Sequence, residues 1–179
     1  MNIEVVKVGM LECNCYILTK DGFSLIIDPG DEFEKIDKKL INNNLIAILV
    51  THNHQDHIGA LSKLKEKYNV DVFDSNNLEE KEYLVGPFKF DVINTIGHSS
   101  DSISYYFKDY NILFVGDFIF KGSIGRCDLP TGNINDMKKS LDKIKKYDDN
   151  IIIYPGHGDS TILKDEKKYN IYFKEENIW

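Results

Sequence analysis

Short apolar runs separated by polar breaks run the length of the chain. Residues 3–8 alternate weakly and predict a first strand, and residues 15–19 and 23–27 predict two more. Lys20-Asp21-Gly22 between the last two is a hairpin signal, because Asp-Gly tolerates the positive φ of tight turns. The third strand stops at Asp28-Pro29-Gly30, where Asp28 reads as a turn cap or as an acceptor for a ligand histidine, the cap being favoured by spacing alone. Over residues 31–41 the period changes. Phe33, Ile36, Leu40 and Ile41 recur at helical spacing among charges, predicting an amphipathic helix that Asn42-Asn43-Asn44 ends. Residues 45–50 are an uninterrupted apolar run, the mark of a buried strand.

A short helix is predicted from about Gly59, with Leu61, Leu64 and Tyr68 inward. A short strand over 70–73, an irregular polar stretch over 75–81 and a strand over 88–96 follow. Residues 102–107 and 112–115 predict a hairpin around Asp109-Tyr110-Asn111. Residues 133–147 predict a helix with an Ile134, Met137, Leu141 and Ile144 stripe and an N-terminal cap from Asn133 and Asp136. Asp148-Asp149-Asn150 breaks it, and residues 151–154 predict another buried strand. The tail, 160–179, is expected to be part helical with its aromatics docked on the body.

Candidate chemistry concentrates at the ends of these strands. Thr51-His52-Asn53-His54-Gln55-Asp56-His57 follows the run 45–50 and holds three of the five histidines. In an extended segment His52 and His54 lie on one side and can share a cation. A bend into helix lets Asp56 and His57 face a second, nearby position. His98 follows the strand ending near residue 96, Asp117 the strand 112–115, and His157 the strand 151–154. If these ends share one sheet edge, all five histidines meet there with two aspartates. The count fits two metals: His52, His54 and His98 on one, Asp56, His57 and His157 on the other, and Asp117 bridging with a water or hydroxide. Imidazole and carboxylate suit Zn, Fe or Mn better than Ca or Mg. Two divalent cations, two carboxylates and one hydroxide leave a positive centre able to hold an oxyanion and acidify water.

Composition narrows the rest. The 179 residues are 42% apolar with net charge −7, which predicts one globular domain and argues against broad nucleic-acid binding. No run approaches the ~18 uncharged apolar residues of a membrane span, and the N-terminus has no signal-peptide pattern. Cys13, Cys15 and Cys127 are expected to be reduced thiols in a cytoplasmic protein, the first two packing on one strand face. Arg126 is the only arginine. It reads equally as a motif position or as a structural ion pair.

These residues resemble the metallo-β-lactamase superfamily, whose signature appears as Ile27-Asp28-Pro29-Gly30, Thr51 through His57, Gly97-His98, Gly116-Asp117 and Pro155-Gly156-His157-Gly158. The resemblance implies an α/β fold, an αββα sandwich of two mixed sheets flanked by helices with metals at one sheet edge. Within the superfamily the chain is similar to small glyoxalase II-like hydrolases, through Gly122-Ser123-Ile124-Gly125-Arg126-Cys127-Asp128-Leu129-Pro130 and through Ser160-Thr161-Ile162-Leu163 with Glu166 and Asn170. True β-lactamases of the family resemble it less, since those with two metals usually have cysteine at the Asp117 position. Two features depart from the pattern. Ser99-Ser100-Asp101-Ser102 stands where many relatives have Thr-Pro-Gly-Ser. The chain also ends before the C-terminal helical domain that helps full-length glyoxalase II enzymes hold glutathione.

The implied activity is hydrolysis of a thioester such as a hydroxyacylglutathione, or of a related small ester, by a hydroxide between two divalent metals, most simply zinc. Asp56 would position the hydroxide, and Phe118, Phe120 and the loop Ser123-Ile124-Gly125-Arg126, which follow Asp117, would lie near the substrate. A persulfide dioxygenase with one iron on His52, His98 and Asp117 is the alternative within the family. A non-catalytic, metal-stabilised domain is the third reading.

Overall fold

The structure, a computed structural model, describes residues 1–41 and 43–174. Asn42 of the expected helix stop and residues 175–179 of the tail, Trp179 included, lie outside the described residues.

The first half of the chain builds a five-stranded sheet in sequence order: β1 (Asn2–Val8), β2 (Cys13–Lys20), β3 (Phe23–Ile27), β4 (Asn44–Leu49) and β5 (Asp71–Phe73). The first three strands are antiparallel, as hairpin-length links allow. β3, β4 and β5 pair in parallel, so each link must cross over. Helix α1 (Phe33–Lys39) makes the first crossover, and α2 (Gln55–Ile58) with α3 (Leu61–Tyr68) makes the second.

The second half builds a six-stranded sheet. β6 (Glu82–Val85), β7 (Phe88–Asn94), β8 (Ile103–Phe107) and β9 (Ile112–Gly116) form an antiparallel meander. After the small hairpin β10 (Ile119–Phe120) and β11 (Ser123–Ile124), helix α4 (Ile134–Ile144) crosses back. It delivers β12 (Ile152–Pro155) parallel to β9, and β13 (Thr161–Ile162) closes the edge before α5 (Leu163–Tyr169). Asn133 caps α4 as expected, its side chain accepting from the Asn135 and Asp136 backbone N–H groups.

Strand alternation sorts the apolar side chains into three cores. Tyr16, Leu18, Leu25 and Leu49 of the first sheet meet Phe90, Ile103, Tyr105 and Phe114 of the second between the sheets. The intervening Cys13, Cys15, Ile17, Ile26 and Ile48 turn outward to Ile36 of α1 and Leu64 of α3. On the far side Ile93, Leu113, Val115 and Ile153 pack against Met137, Leu141 and Ile144 of α4. The layers are therefore α, β, β, α. Central strands are buried on both faces, which is why β4 and β12 read as solid apolar runs.

Several element boundaries differ from the sequence reading. The helix predicted over 31–41 is one turn shorter, and Ile41 is exposed rather than part of its stripe. Ile134 likewise points partly outward. The strand predicted to reach residue 96 stops at Asn94, because residues 95–102 loop to carry His98. β6, β10, β11 and β13 were not predicted, being two to four residues long and without clear alternation. Among the described residues no helix is long and apolar enough to cross a membrane.

Candidate metal centre

Parallel pairing explains why distant residues meet. β4 runs into Thr51-His52, β9 into Asp117, and β12 into Gly156-His157. β7 runs in the same direction as β9, because both are antiparallel to β8 between them, and it leads to His98. The Thr51 carbonyl accepts from the Ile103 N–H and joins the edges of the two sheets. All five histidines, Asp56 and Asp117 converge at this edge. Gly156 is needed there, since a Cβ on it would lie 2.2 Å from Asp117 Oδ1 and 2.5 Å from His57 Cε1.

The donors fall into two groups. His54 Nδ1 lies 3.1 Å from His52 Nε2 and 2.9 Å from His98 Nε2. On the other side His157 Nε2 is 3.1 Å from Asp56 Oδ2, and His57 Nε2 is 3.8 Å from the same oxygen. Asp117 stands between them. Its Oδ1 is 3.3 Å from His57 Nε2, and its Oδ2 is 3.6 Å from both His98 Nε2 and His157 Nε2.

The outer partners select which ring nitrogen faces inward. His98 Nδ1 donates to the Arg126 carbonyl at 2.7 Å, and His157 Nδ1 donates to the Leu11 carbonyl at 2.9 Å. His57 Nδ1 donates to Asp28 Oδ2 at 3.0 Å. His52 Nδ1 faces the Thr51 hydroxyl at 3.1 Å, and that hydroxyl donates onward to Asp28 Oδ2 at 2.7 Å. Each contact leaves Nε2 of its imidazole free for a cation. His54 is the exception and presents Nδ1. Asp28, read from spacing as a turn cap, instead sits fully buried and accepts from Thr51 N, Thr51 Oγ1 and His57. Spacing could not show this, because its partners lie 23 and 29 residues away.

Charge is distributed unevenly. Burial and neighbouring imidazoles depress His52 well below its ordinary value, and burial with His98 depresses His54. Burial also pushes His57 down, but Asp117 and Asp28 outweigh it and hold it well above the usual range. Asp56 raises His157, and His157 in turn lowers Asp56. Burial pushes Asp117 up, yet His57, His52 and His157 bring it below the ordinary carboxylate value.

The residues fit divalent metals. His57 Nε2 and Asp117 Oδ1 are buried polar atoms that face each other at 3.3 Å without a well-formed hydrogen bond, an arrangement a cation held by both would complete. His52, His54 and His98 form one compact donor group, and His52, His57 and Asp117 another. Cys13 also lies near, 3.7 Å from His57 Nδ1. Burial pushes its thiol up, and the nitrogen it faces is already committed to Asp28, so it packs rather than ligates.

The centre opens into a cavity of about 510 Å³ lined by Leu11, Phe120, Arg126 and Leu129 together with His54, Asp56, His98, Asp117 and His157, while His52 and His57 lie buried behind them. Arg126 lines it while holding Asp128 in a two-pronged ion pair, each contact 2.7 Å. Phe118 does not reach the cavity. It is fully buried among Leu113, Met137 and their neighbours, whereas Phe120, two residues on, lines the wall. Ser123 is also set back, its carbonyl accepting from Asn170 Nδ2.

Sequence reasoning missed Asn14 and Asp101. The Asn14 N–H donates to the Gly156 carbonyl at 2.7 Å, and its Nδ2 donates to Pro155 and Gly158 carbonyls at 3.0 and 2.9 Å, bracketing His157. Asp101 Oδ2 accepts from the Asn53 N–H at 3.0 Å and from its Nδ2 at 2.7 Å, pinning the loop between His52 and His54. The one available signal for Asn14 was an amide inside a buried strand.

An αββα sandwich with this donor cluster at the sheet edge defines a metal-dependent enzyme. The family model described as the metallo-beta-lactamase superfamily matches residues 8–75 and 74–157, and the chain belongs to that family. It is 33% identical to "Probable metallo-hydrolase YqgX" of Bacillus subtilis over 92% of this chain and 94% of that protein. It is 29% identical to "Hydroxyacylglutathione hydrolase GloC" of Haemophilus influenzae over 99% of this chain and all of that protein. Among solved structures it is similar to the BLEG-1 B3 metallo-beta-lactamase, with TM-score 0.91 and 29% identity over 97% of this chain and all of that one.

Proposed function

We propose that this protein is a binuclear metallo-hydrolase that cleaves a thioester of the hydroxyacylglutathione type or a related small ester. The observation that carries this is Asp117 standing between two donor groups, each of which contributes residues to the wall of one cavity. His52, His54 and His98 would hold one metal, Asp56, His57 and His157 the other, and Asp117 both. Bound there, the metals supply Lewis acidity for the carbonyl and lower the pKa of water toward ~7.

The chain's own residues do the rest. Asp56 is held ionised by His157, so at neutral pH its carboxylate accepts a hydrogen bond from the attacking water and orients it. A base this weak positions the water rather than storing its proton. The leaving thiolate, with an ordinary thiol pKa near ~8.5, departs without a dedicated acid, and among the described residues no lysine or tyrosine lines the cavity to serve as one. Leu11, Phe120 and Leu129 exclude water from one side of the substrate. The three unbridged cysteines fit a reducing compartment such as the cytoplasm.

End-to-end likeness to a protein named as a hydroxyacylglutathione hydrolase supports the substrate class, because the match needs no further domain. Likeness to a B3 metallo-beta-lactamase favours a second reading, attack on a β-lactam carbonyl by the same water. The test is metal content per chain on protein purified without chelators, with S-lactoylglutathione and nitrocefin assayed on the same sample. Two metals and faster thioester turnover are expected. Faster nitrocefin turnover would establish the lactamase reading. One iron, no hydrolysis and oxygen uptake with glutathione persulfide would replace both.

A further inference from the structure

A second cavity, of about 430 Å³, adjoins the metal centre on the opposite side of the Leu11 loop. Its walls are Val8, Gly9 and Met10 on one side and Asp31 and Gln55 on the other. Leu11 and Asp56 line both cavities, so the two spaces meet at these residues. An ester or thioester has two arms diverging from its carbonyl carbon. A substrate centred at Asp56 therefore has a separate space for each arm.

The two spaces differ in chemistry. The first carries the Arg126 guanidinium beside the apolar Phe120 and Leu129. Among the described residues the second has no Lys, Arg or His in its wall, and the polar residues there are Asp31, Gln55 and Asp56. One oxygen of Asp31 accepts from the Glu32 N–H at 2.6 Å. The other faces the space left by Gly9, where a Cβ would lie 3.3 Å from it. The nearest lysines are engaged elsewhere: Lys35 Nζ donates to the Lys7 carbonyl at 2.6 Å and to Glu32 at 3.2 Å, and Lys7 pairs with Glu12 at 4.0 Å.

We infer that the groove between residues 8–11 and Asp31–Gln55 receives the acyl arm of the substrate, and that it selects acyl groups bearing hydrogen-bond donors, a hydroxyl or an ammonium, over those ending in a carboxylate. The inference rests on the thioesterase reading above. The assignment of arms follows from charge: glutathione carries two carboxylates against one ammonium, a net negative charge, and among the described residues only the first space offers a cationic side chain. A hydrogen bond from a donor to an ionised acceptor discriminates by about tenfold or more, and an acyl carboxylate beside Asp31 meets like-charge repulsion instead.

Four glutathione thioesters of similar length test it: 3-aminopropanoyl, 3-hydroxypropanoyl, butanoyl and 3-carboxypropanoyl, with spontaneous rates subtracted. In the wild-type protein kcat/KM is expected to fall in that order, with about tenfold between the first and last. Asp31→Lys is expected to reverse the order, and Gln55→Lys, on the same wall, to shift it the same way. Equal kcat/KM values, or an order unchanged in both variants, would overturn the acyl-groove assignment while leaving the hydrolase intact. No turnover of any of the four would overturn the proposed function and this inference with it.

Discussion

The two halves of the proposed metal centre both present imidazoles yet are prepared differently. The half formed by His52, His54 and His98 is all imidazole, and burial with mutual repulsion keeps His52 and His54 neutral. In the half formed by Asp56, His57 and His157, carboxylates hold His57 and His157 toward their charged forms. The first half is ready for a cation as it stands. The second keeps its protons to higher pH, so cation binding there is more closely linked to proton release. Proximity alone does not make two sites equivalent, because the charge beside each imidazole sets its resting state.

The largest expected effect removes the shared element. Asp117→Asn, which weakens the carboxylate between both halves, is expected to lower kcat/KM by more than about 100-fold, the upper end of what losing an outer partner costs. Metal content should fall from two per chain. Retention of both metals with full turnover would show that the halves are independent.

Asp28→Asn should come next. It removes the charge behind His57 directly and behind His52 only through Thr51. Metal affinity is expected to drop about 10- to 100-fold, more in the second half than in the first, read by competitive chelator titration. An equal loss in both halves would erase the distinction drawn here.

Asn14→Ala releases the Pro155 and Gly158 carbonyls that bracket His157. A stability loss of about 1–3 kcal/mol is expected from denaturant unfolding of the metal-free protein. The more telling readout is selective loss of one metal equivalent, since His52, His54 and His98 do not touch this strap. Loss of stability with both metals retained would make Asn14 structural only.

A smaller effect comes from pH. His57 and His157 have folded values above the ordinary 6.5, so in the metal-free protein they favour folding below that pH and withdraw the contribution as pH rises through their folded values. His52 and His54 have folded values below 6.5 and oppose folding as pH falls through that range. Lowering the pH from 8 to about 6 should therefore weaken the second metal more than the first. Calorimetric metal titrations in buffers of different ionisation heat, counting released protons, measure it directly. Proton release equal for both equivalents would contradict the asymmetry.

The smallest effect is expected for Arg126→Ala. The Arg126–Asp128 pair is exposed, so Tm should hardly move, whereas KM for an anionic thioester should rise with kcat little changed. A fall in kcat instead would place its effect on His98, which the Arg126 carbonyl holds.

The chain announced its layers and its donors more clearly than its supports. Continuous apolar runs at β4 and β12 and helical spacing at α1, α3 and α4 were legible because burial on two faces or on one stripe leaves a periodic trace. The short β6, β10, β11 and β13 left none, since two to four residues carry no period. Arg126, open to two readings, proved to make an ion pair while lining the cavity.

By itself, then, the sequence determined which residues could bind metal, because His-x-His-x-Asp-His and the strand-end His and Asp positions are chemistry written locally. The distances between them, the orientation of every imidazole, and the roles of Asp28, Asn14 and Asp101 were decided only by tertiary structure. The reason is physical: a hydrogen bond across 23, 48 or 141 residues depends on parallel pairing and crossover helices that bring strand ends to one edge. Phe118 and Phe120 show the same limit, because alternation at one strand end sent the first into the core and the second to the cavity.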